Sequence, residues 1–264
     1  MDQDDDYCHR LIHKWIAELG PDAMDEYVEP AGGYKTFNQF FIRTLKEARP
    51  VSGKDDDSIV ACPADAIVNM VADNLTLDTK LQVKTQELDV QQLLNNSPLA
   101  SNFVGGTAIS CILMPDVYHH YHSPVSGKVV ESEEDVAGNY FGIEDFPALI
   151  NNDNVGYGYD YSVFEHFRRG YLIIQTKDYG YVAMIPVGLN TIASVIFDKQ
   201  WKKITSENDP VSITKGEHVG YFQYGGSLNI LLFEQNCFPG MTIPQGQMIG
   251  SLQPKTTKKV QFSF

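Results

Sequence analysis

The stretch Tyr221-Phe222-Gln223-Tyr224-Gly225-Gly226-Ser227-Leu228-Asn229-Ile230-Leu231-Leu232-Phe233 holds two runs of aromatic and aliphatic residues, parted by a glycine pair and a serine. Glycine inside a strand pattern gives up packing and backbone entropy, so it marks a turn, a bulge or a place where the backbone takes an unusual course. The simplest reading is a tight turn between two strands. Short runs of the same kind recur from Ser58 onward: SIVACPADAIVNMVA (58–72), TAISCILM (107–114), GKVVES (127–132), YLIIQT (171–176), YVAMIPVG (181–188), ASVIF (193–197) and KKVQFSF (258–264). Each is bounded by glycine or polar residues, as β-strands are.

The beginning of the chain reads differently. Leu11, Ile12, Trp15, Ile16 and Leu19 recur at helical spacing, which predicts a helix from Tyr7 to about Leu19, ended by Gly20-Pro21. A second helix is predicted from Thr36 to Lys46, capped by Thr36 and striped by Phe37, Phe40, Phe41 and Leu45. The fold class is therefore α+β, a β-rich, sandwich-like body with an N-terminal helical cap. The boundary is drawn between residues 1–54 and 55–264. Residues 138–165 are polar, tyrosine-rich and broken by glycine, and read as a long loop of the kind that carries function. ITKGEHVGYFQ (213–223) is echoed by IPQGQMIGSLQ (243–253); with SPVSGKVV (123–130) these resemble the glycine hairpins of lipoyl- and biotinyl-carrier folds, without an acceptor-lysine hairpin.

At 264 residues and 43% hydrophobic, the chain is long enough to bury a core without staples. A formal net charge of −14 opposes binding to nucleic acid and to anionic membrane surfaces. Cys8, Cys62, Cys111 and Cys237 make no zinc or redox spacing, which points to a reducing, intracellular compartment. No apolar run approaches the ~20 residues of a membrane span, so the expectation is a protein that is soluble or peripherally attached.

PDVYHHYHSP (115–124) holds three of the seven histidines. Strand alternation puts His120 and His122 on one face, where imidazoles serve as acid–base groups or metal ligands. With no carboxylate or cysteine at ligand spacing, acid–base work ranks above metal. Asp65, within the apolar run CPADAIV, is either a turn-former after Pro63 or a buried acid that orients a base. Asp65, His122 and Ser227 together invite a serine hydrolase, but Gly225, Ser227 and Asn229 do not complete the G-x-S-x-G elbow. A noncatalytic β-sandwich binding module accounts for the glycines alone.

FNQFFIRTLKEARPV (37–51), CPADAIV (62–68), DVYHHYHSPVSGKVV (116–130), IPVGLNTIASV (185–195) and KGEHVGYFQYGGSLNILLF (215–233) resemble, in order, motifs of the phosphatidylserine decarboxylase family. The resemblance implies a self-processing enzyme, cut between Gly226 and Ser227, whose serine becomes a pyruvoyl group. It implies His122 with Asp65 as the base of maturation and His119 as the group acting in turnover. The implied substrate is phosphatidylserine, the alternative a free aromatic amino acid such as tryptophan, and the implied assembly a homodimer with at most weak peripheral membrane contact. Three positions depart from the family pattern: Ala66 stands where glycine is frequent, His120 where arginine is, and a glycine is missing before Ala48.

Overall fold

A computed structural model of the chain describes residues 3–20, 22–83, 86–114, 116–136, 168–188, 195–205, 210–223, 227–238 and 240–250. The segment 138–165, the Gly225-Gly226 pair and the run 258–264 lie outside the described residues.

Helix α1 (Asp6–Leu19) starts where Asp5 accepts a hydrogen bond from the Cys8 amide at 2.8 Å, and it stops at Gly20, whose φ of +97° suits glycine. Helix α2 is shorter than its apolar stripe predicts, Phe37–Phe41. Thr36 and Gln39 form a reciprocal capping box at its start. It ends early because the following residues pair elsewhere: Leu45 bridges Tyr27, and the Val28 amide donates to Thr44. Arg43 turns inward, 3% exposed, donating to the carbonyls of Asp116 and Phe40 and stacking over Tyr27.

Among the described residues, thirteen strands follow. β1 (Ile67–Ala72), β4 (Thr107–Leu113), β6 (Gly127–Val136), β7 (Arg169–Gln175), β8 (Tyr181–Gly188), β10 (Lys203–Ile204) and β13 (Ser227–Phe233) form an antiparallel sheet in the order β1-β4-β13-β8-β7-β6-β10, with β11 (Val211–Ile213) also on β6. β5 (His120–His122), β12 (His218–Phe222) and β9 (Val195–Phe197) form a second sheet in the order β5-β12-β9. β2 (Leu81–Val83) and β3 (Gln86–Leu88) pair as a hairpin, and the short helix α3 (Val90–Leu93) follows. The run 58–72 yields a strand only from Ile67, since Pro63 and the turn after it interrupt the ladder.

Alternation along β13 decides which residues meet which core. Leu228, Ile230 and Leu232 pack with Phe103, Ile173 and Ile185 on one face. Leu231 and Phe233 pack on the other with Phe37, Phe40, Phe41, Tyr121, Phe197 and Phe222. The second sheet and both N-terminal helices thus cover the face to which Ser227 and Asn229 belong by parity. β13 is buried along all seven residues and is paired on both sides, to β4 and β8. It is the most enclosed strand of the large sheet.

Candidate active site

Three histidines come together because β5 is laid against β12. His122 lies opposite His218 and His120 opposite Tyr221, with a bulge between His218 and Gly220. Gly220 permits the close approach of β9 on the other side of β12, since a Cβ there would lie 1.9 Å from the Ile196 carbonyl oxygen. Tyr121 points to the core and donates to Ile196 at 2.8 Å, which leaves His120 and His122 on the opposite face, as alternation predicts.

His122 donates from Nδ1 to the Gly216 carbonyl at 3.0 Å, and its Nε2 accepts from the Tyr118 hydroxyl at 3.3 Å. Gly216 holds a φ of +82° in the turn between β11 and β12, a left-handed conformation that aims this carbonyl at the imidazole. Burial lowers the pKa of His122, so the ring is a neutral base with its acceptor nitrogen at Nε2. His119 is fully buried and stacks on Phe41, ring centroids 3.7 Å apart. Its Nδ1–H donates to the Val117 carbonyl at 2.8 Å, and its Nε2 has no partner among the described residues. Burial pushes its pKa down to about 3.

A hydrogen-bonded chain runs beside these rings. His120 donates from Nε2 to the Ile42 carbonyl at 3.0 Å, and its Nδ1 lies 2.8 Å from Nε2 of His218. Nδ1 of His218 in turn lies 2.7 Å from Asp198 Oδ2. His120 has committed its one proton to Ile42, so His218 donates to it through Nε2. Burial lowers the pKa of His120 to about 4. Neither Asp198 nor His218 was marked by the sequence, although His218 lies within the KGEHVGYF motif.

Asp65 is not bonded to His122. Its carboxylate pairs with Arg49, which also grips Glu26 through Nη2 at 2.6 Å and Nε at 3.2 Å. The link to His122 is indirect and runs along two routes. The His122 amide donates to the Pro63 carbonyl at 2.8 Å, so the turn carrying Asp65 holds the backbone of β5. The Arg49 guanidinium lies 5.6 Å from the ring centre of Tyr118, whose hydroxyl reaches His122.

Ser227 opens β13, opposite Leu113 of β4 and Gly188 of β8. It is 1% exposed, and its hydroxyl has no hydrogen-bond partner among the described residues. A buried hydroxyl without a partner costs folding free energy and calls for a functional account. Gly226, the residue on the other side of the expected cut, lies outside the described residues.

The model of the phosphatidylserine decarboxylase family matches residues 37–256. The chain belongs to the phosphatidylserine decarboxylase family. Among the family's members it is similar to the phosphatidylserine decarboxylase proenzyme of Fusobacterium nucleatum, 30% identical over 85% of this chain and 68% of that protein. The proenzyme of Anoxybacillus flavithermus is 31% identical over 93% of this chain and 87% of that one. Proenzyme 2 of Oryza sativa is 31% identical over 81% of this chain, which spans only 31% of that longer protein. The family match covers every motif residue named above: Asp65, His119, His122, Gly226 and Ser227. No helix among the described residues is long and apolar enough to cross a membrane.

Proposed function

We propose that this chain is a carboxy-lyase that matures by cutting itself between Gly226 and Ser227 and then converts phosphatidylserine to phosphatidylethanolamine and carbon dioxide. The observation that carries the reading is the Ser227 hydroxyl, buried and without a partner among the described residues, at the first residue of a strand paired on both sides. A serine at this place fits the precursor of a pyruvoyl group: its backbone is fixed in the ladder and its side chain is shielded from water.

In maturation the Ser227 Oγ attacks the Gly226 carbonyl carbon, and the amide becomes an ester as the Ser227 nitrogen takes a proton. Loss of the Ser227 α-proton then expels the Gly226 carboxylate and leaves a dehydroalanine, whose hydrolysis releases ammonia and leaves the pyruvoyl carbonyl. A base must take the serine proton, a role that the family resemblance gives to His122, whose neutral Nε2 accepts from the Tyr118 hydroxyl. Asp65 acts as a positioning residue, through Arg49 and the Pro63 turn. β13 stays in the sheet after the cut, since each of its fully buried leucines and isoleucines contributes about 1.5–3 kcal/mol.

When formed, the pyruvoyl carbonyl supplies an electron sink for loss of carbon dioxide from a bound amine. His119 serves this stage. Its buried Nε2, without a partner among the described residues, accepts or returns one proton in a site closed to water. The compared relatives carry phosphatidylserine decarboxylase names, which supports the phospholipid over free tryptophan. A homodimer and a peripheral, weak contact with the bilayer are part of the same proposal, and rest on the resemblance.

Intact-mass spectrometry of purified protein tests the core of the reading. Two chains, residues 1–226 and 227–264, are expected, the smaller one blocked to N-terminal sequencing. Folded protein that stays whole on prolonged incubation overturns it.

A further inference from the structure

Two positions along β13 from Ser227, on the same face, stands another polar side chain that has no partner among the described residues. Asn229 is 0% exposed, and neither its Oδ1 nor its Nδ2 has a hydrogen-bond partner among the described residues. Its backbone is in the ladder, opposite Cys111 and Pro186. The next residues of the same parity, Leu231 and Phe233, are core. An apolar residue is therefore what this row takes where packing alone decides, and an unpaired buried amide is a cost to folding.

We propose that Asn229 forms the polar wall of the subsite for the amino-acid head group, its Nδ2 donating to the substrate's carboxylate and its Oδ1 accepting from the substrate's ammonium. This rests on the decarboxylase reading of Ser227. Side chains at i and i+2 of a strand leave the same face about 7 Å apart, a gap that one carboxylate or ammonium spans. A zwitterionic head group offers an acceptor and a donor side by side, and a primary amide matches both. A neutral amide also holds the carboxylate without neutralising it. An arginine there would stabilise the ground-state charge that must vanish as carbon dioxide leaves, and so oppose the reaction. His119, another buried side chain with a ring nitrogen that has no partner among the described residues, lies against Phe41, a member of the core that Leu231 joins. Asn229 and His119 thus both border the core on this side of the sheet.

Asn229→Leu and the near-isosteric Asn229→Asp test this in two backgrounds. In otherwise wild-type protein, both variants are expected to cut themselves to completion by intact mass. KM for phosphatidylserine in detergent micelles should rise about tenfold or more in Asn229→Leu, and further in Asn229→Asp, whose charge repels the carboxylate. In the uncut Ser227→Ala protein, adding Asn229→Leu should raise the thermal midpoint, because an unpartnered amide is removed. An unchanged KM in both variants overturns the proposal. So does a lowered midpoint, which makes the amide structural, or a loss of self-cutting with normal KM in the cut fraction, which moves Asn229 to maturation. Should Asn229→Leu not fold, that counts as a lowered midpoint and overturns the proposal. Wild-type protein that neither cuts itself nor releases carbon dioxide refutes the decarboxylase reading instead, and shows this before any variant is made.

Discussion

The Asp198 carboxylate lies 2.7 Å from Nδ1 of His218, and His218 passes a hydrogen bond on to His120 at 2.8 Å. The chain ends on the Ile42 carbonyl next to α2, so it ties the second sheet to the helical cap. The His218 ring also stands 5.2 Å from that of His122, nearly perpendicular to it. Removing the donor leaves a buried acceptor unpaired on His120. His218→Ala is therefore expected to destabilise the uncut Ser227→Ala protein by about 1–3 kcal/mol, read from denaturant midpoints. A change within ~0.5 kcal/mol would mean the chain is replaced by water.

Ser227→Ala should remain a single chain by mass and release no carbon dioxide. Its stability should match or exceed that of any uncut catalytic variant, since the hydroxyl removed has no partner among the described residues. Alanine at position 227 with normal cutting would show that another residue is the nucleophile.

The two motif histidines should separate the two stages. His122→Ala is expected to accumulate uncut chain, because the serine loses its base. His119→Ala is expected to cut itself at least in part and to decarboxylate poorly. Gel and mass time courses run beside carbon dioxide release distinguish them, and a His122→Ala protein that matures at the wild-type rate removes His122 from the base role.

Asp65→Asn should slow maturation far more than it affects stability. The Arg49–Asp65 pair is partly exposed, with side chains 38% and 32% accessible, and such pairs contribute only ~0.2–1 kcal/mol. What the substitution disturbs is the clamp on Tyr118 and on the Pro63 turn. Equal losses of stability and cutting rate would argue that Asp65 is only a surface anchor.

These geometries explain what the sequence makes legible. The run 181–188 is β8 to the residue, because an unbroken apolar stretch bounded by glycine has no competing pattern. The motif 115–124 is legible for a similar reason: its histidines are neighbours in the chain, and a three-residue strand fixes their faces. The partners are not local. His120 meets His218 across 98 residues, and only the pairing of β5 with β12 brings them together. Asp65 reads as a carboxylate for an imidazole, yet Arg49, 16 residues before it, is a stronger partner that the motif does not announce. The helix expected to reach Lys46 stops at Phe41 because backbone pairing with residues 26–28 outcompetes local propensity.

Stability should fall with pH below neutrality. His119 and His120 have folded-state pKa values lowered to about 3 and about 4, and that of His122 is lowered too, all by burial. As pH falls through ~6.5 the unfolded chain takes up protons that these rings refuse, so the unfolded state gains. Each imidazole then costs ~1.4 kcal/mol per pH unit down to its folded pKa. Denaturant midpoints of Ser227→Ala protein between pH 7.5 and 5 should show this slope, and adding His119→Phe should make it shallower. An unchanged slope would mean that His119 is protonated in the folded protein.

The substrate is decided by physical form as much as by chemistry. A net charge of −14 repels a bilayer rich in anionic phosphatidylserine, and that repulsion is screened within a Debye length of ~8 Å at physiological salt. If the phospholipid is the substrate, release of carbon dioxide from phosphatidylserine vesicles should rise as salt is added from low ionic strength. The same lipid dispersed in neutral detergent micelles should show little salt dependence, because the surface potential is diluted away. Free tryptophan, which has no such surface, should be a poor substrate at every salt concentration. Release from tryptophan alone would overturn the phospholipid assignment and leave the cut at Ser227 standing, since that step uses only groups of the chain itself.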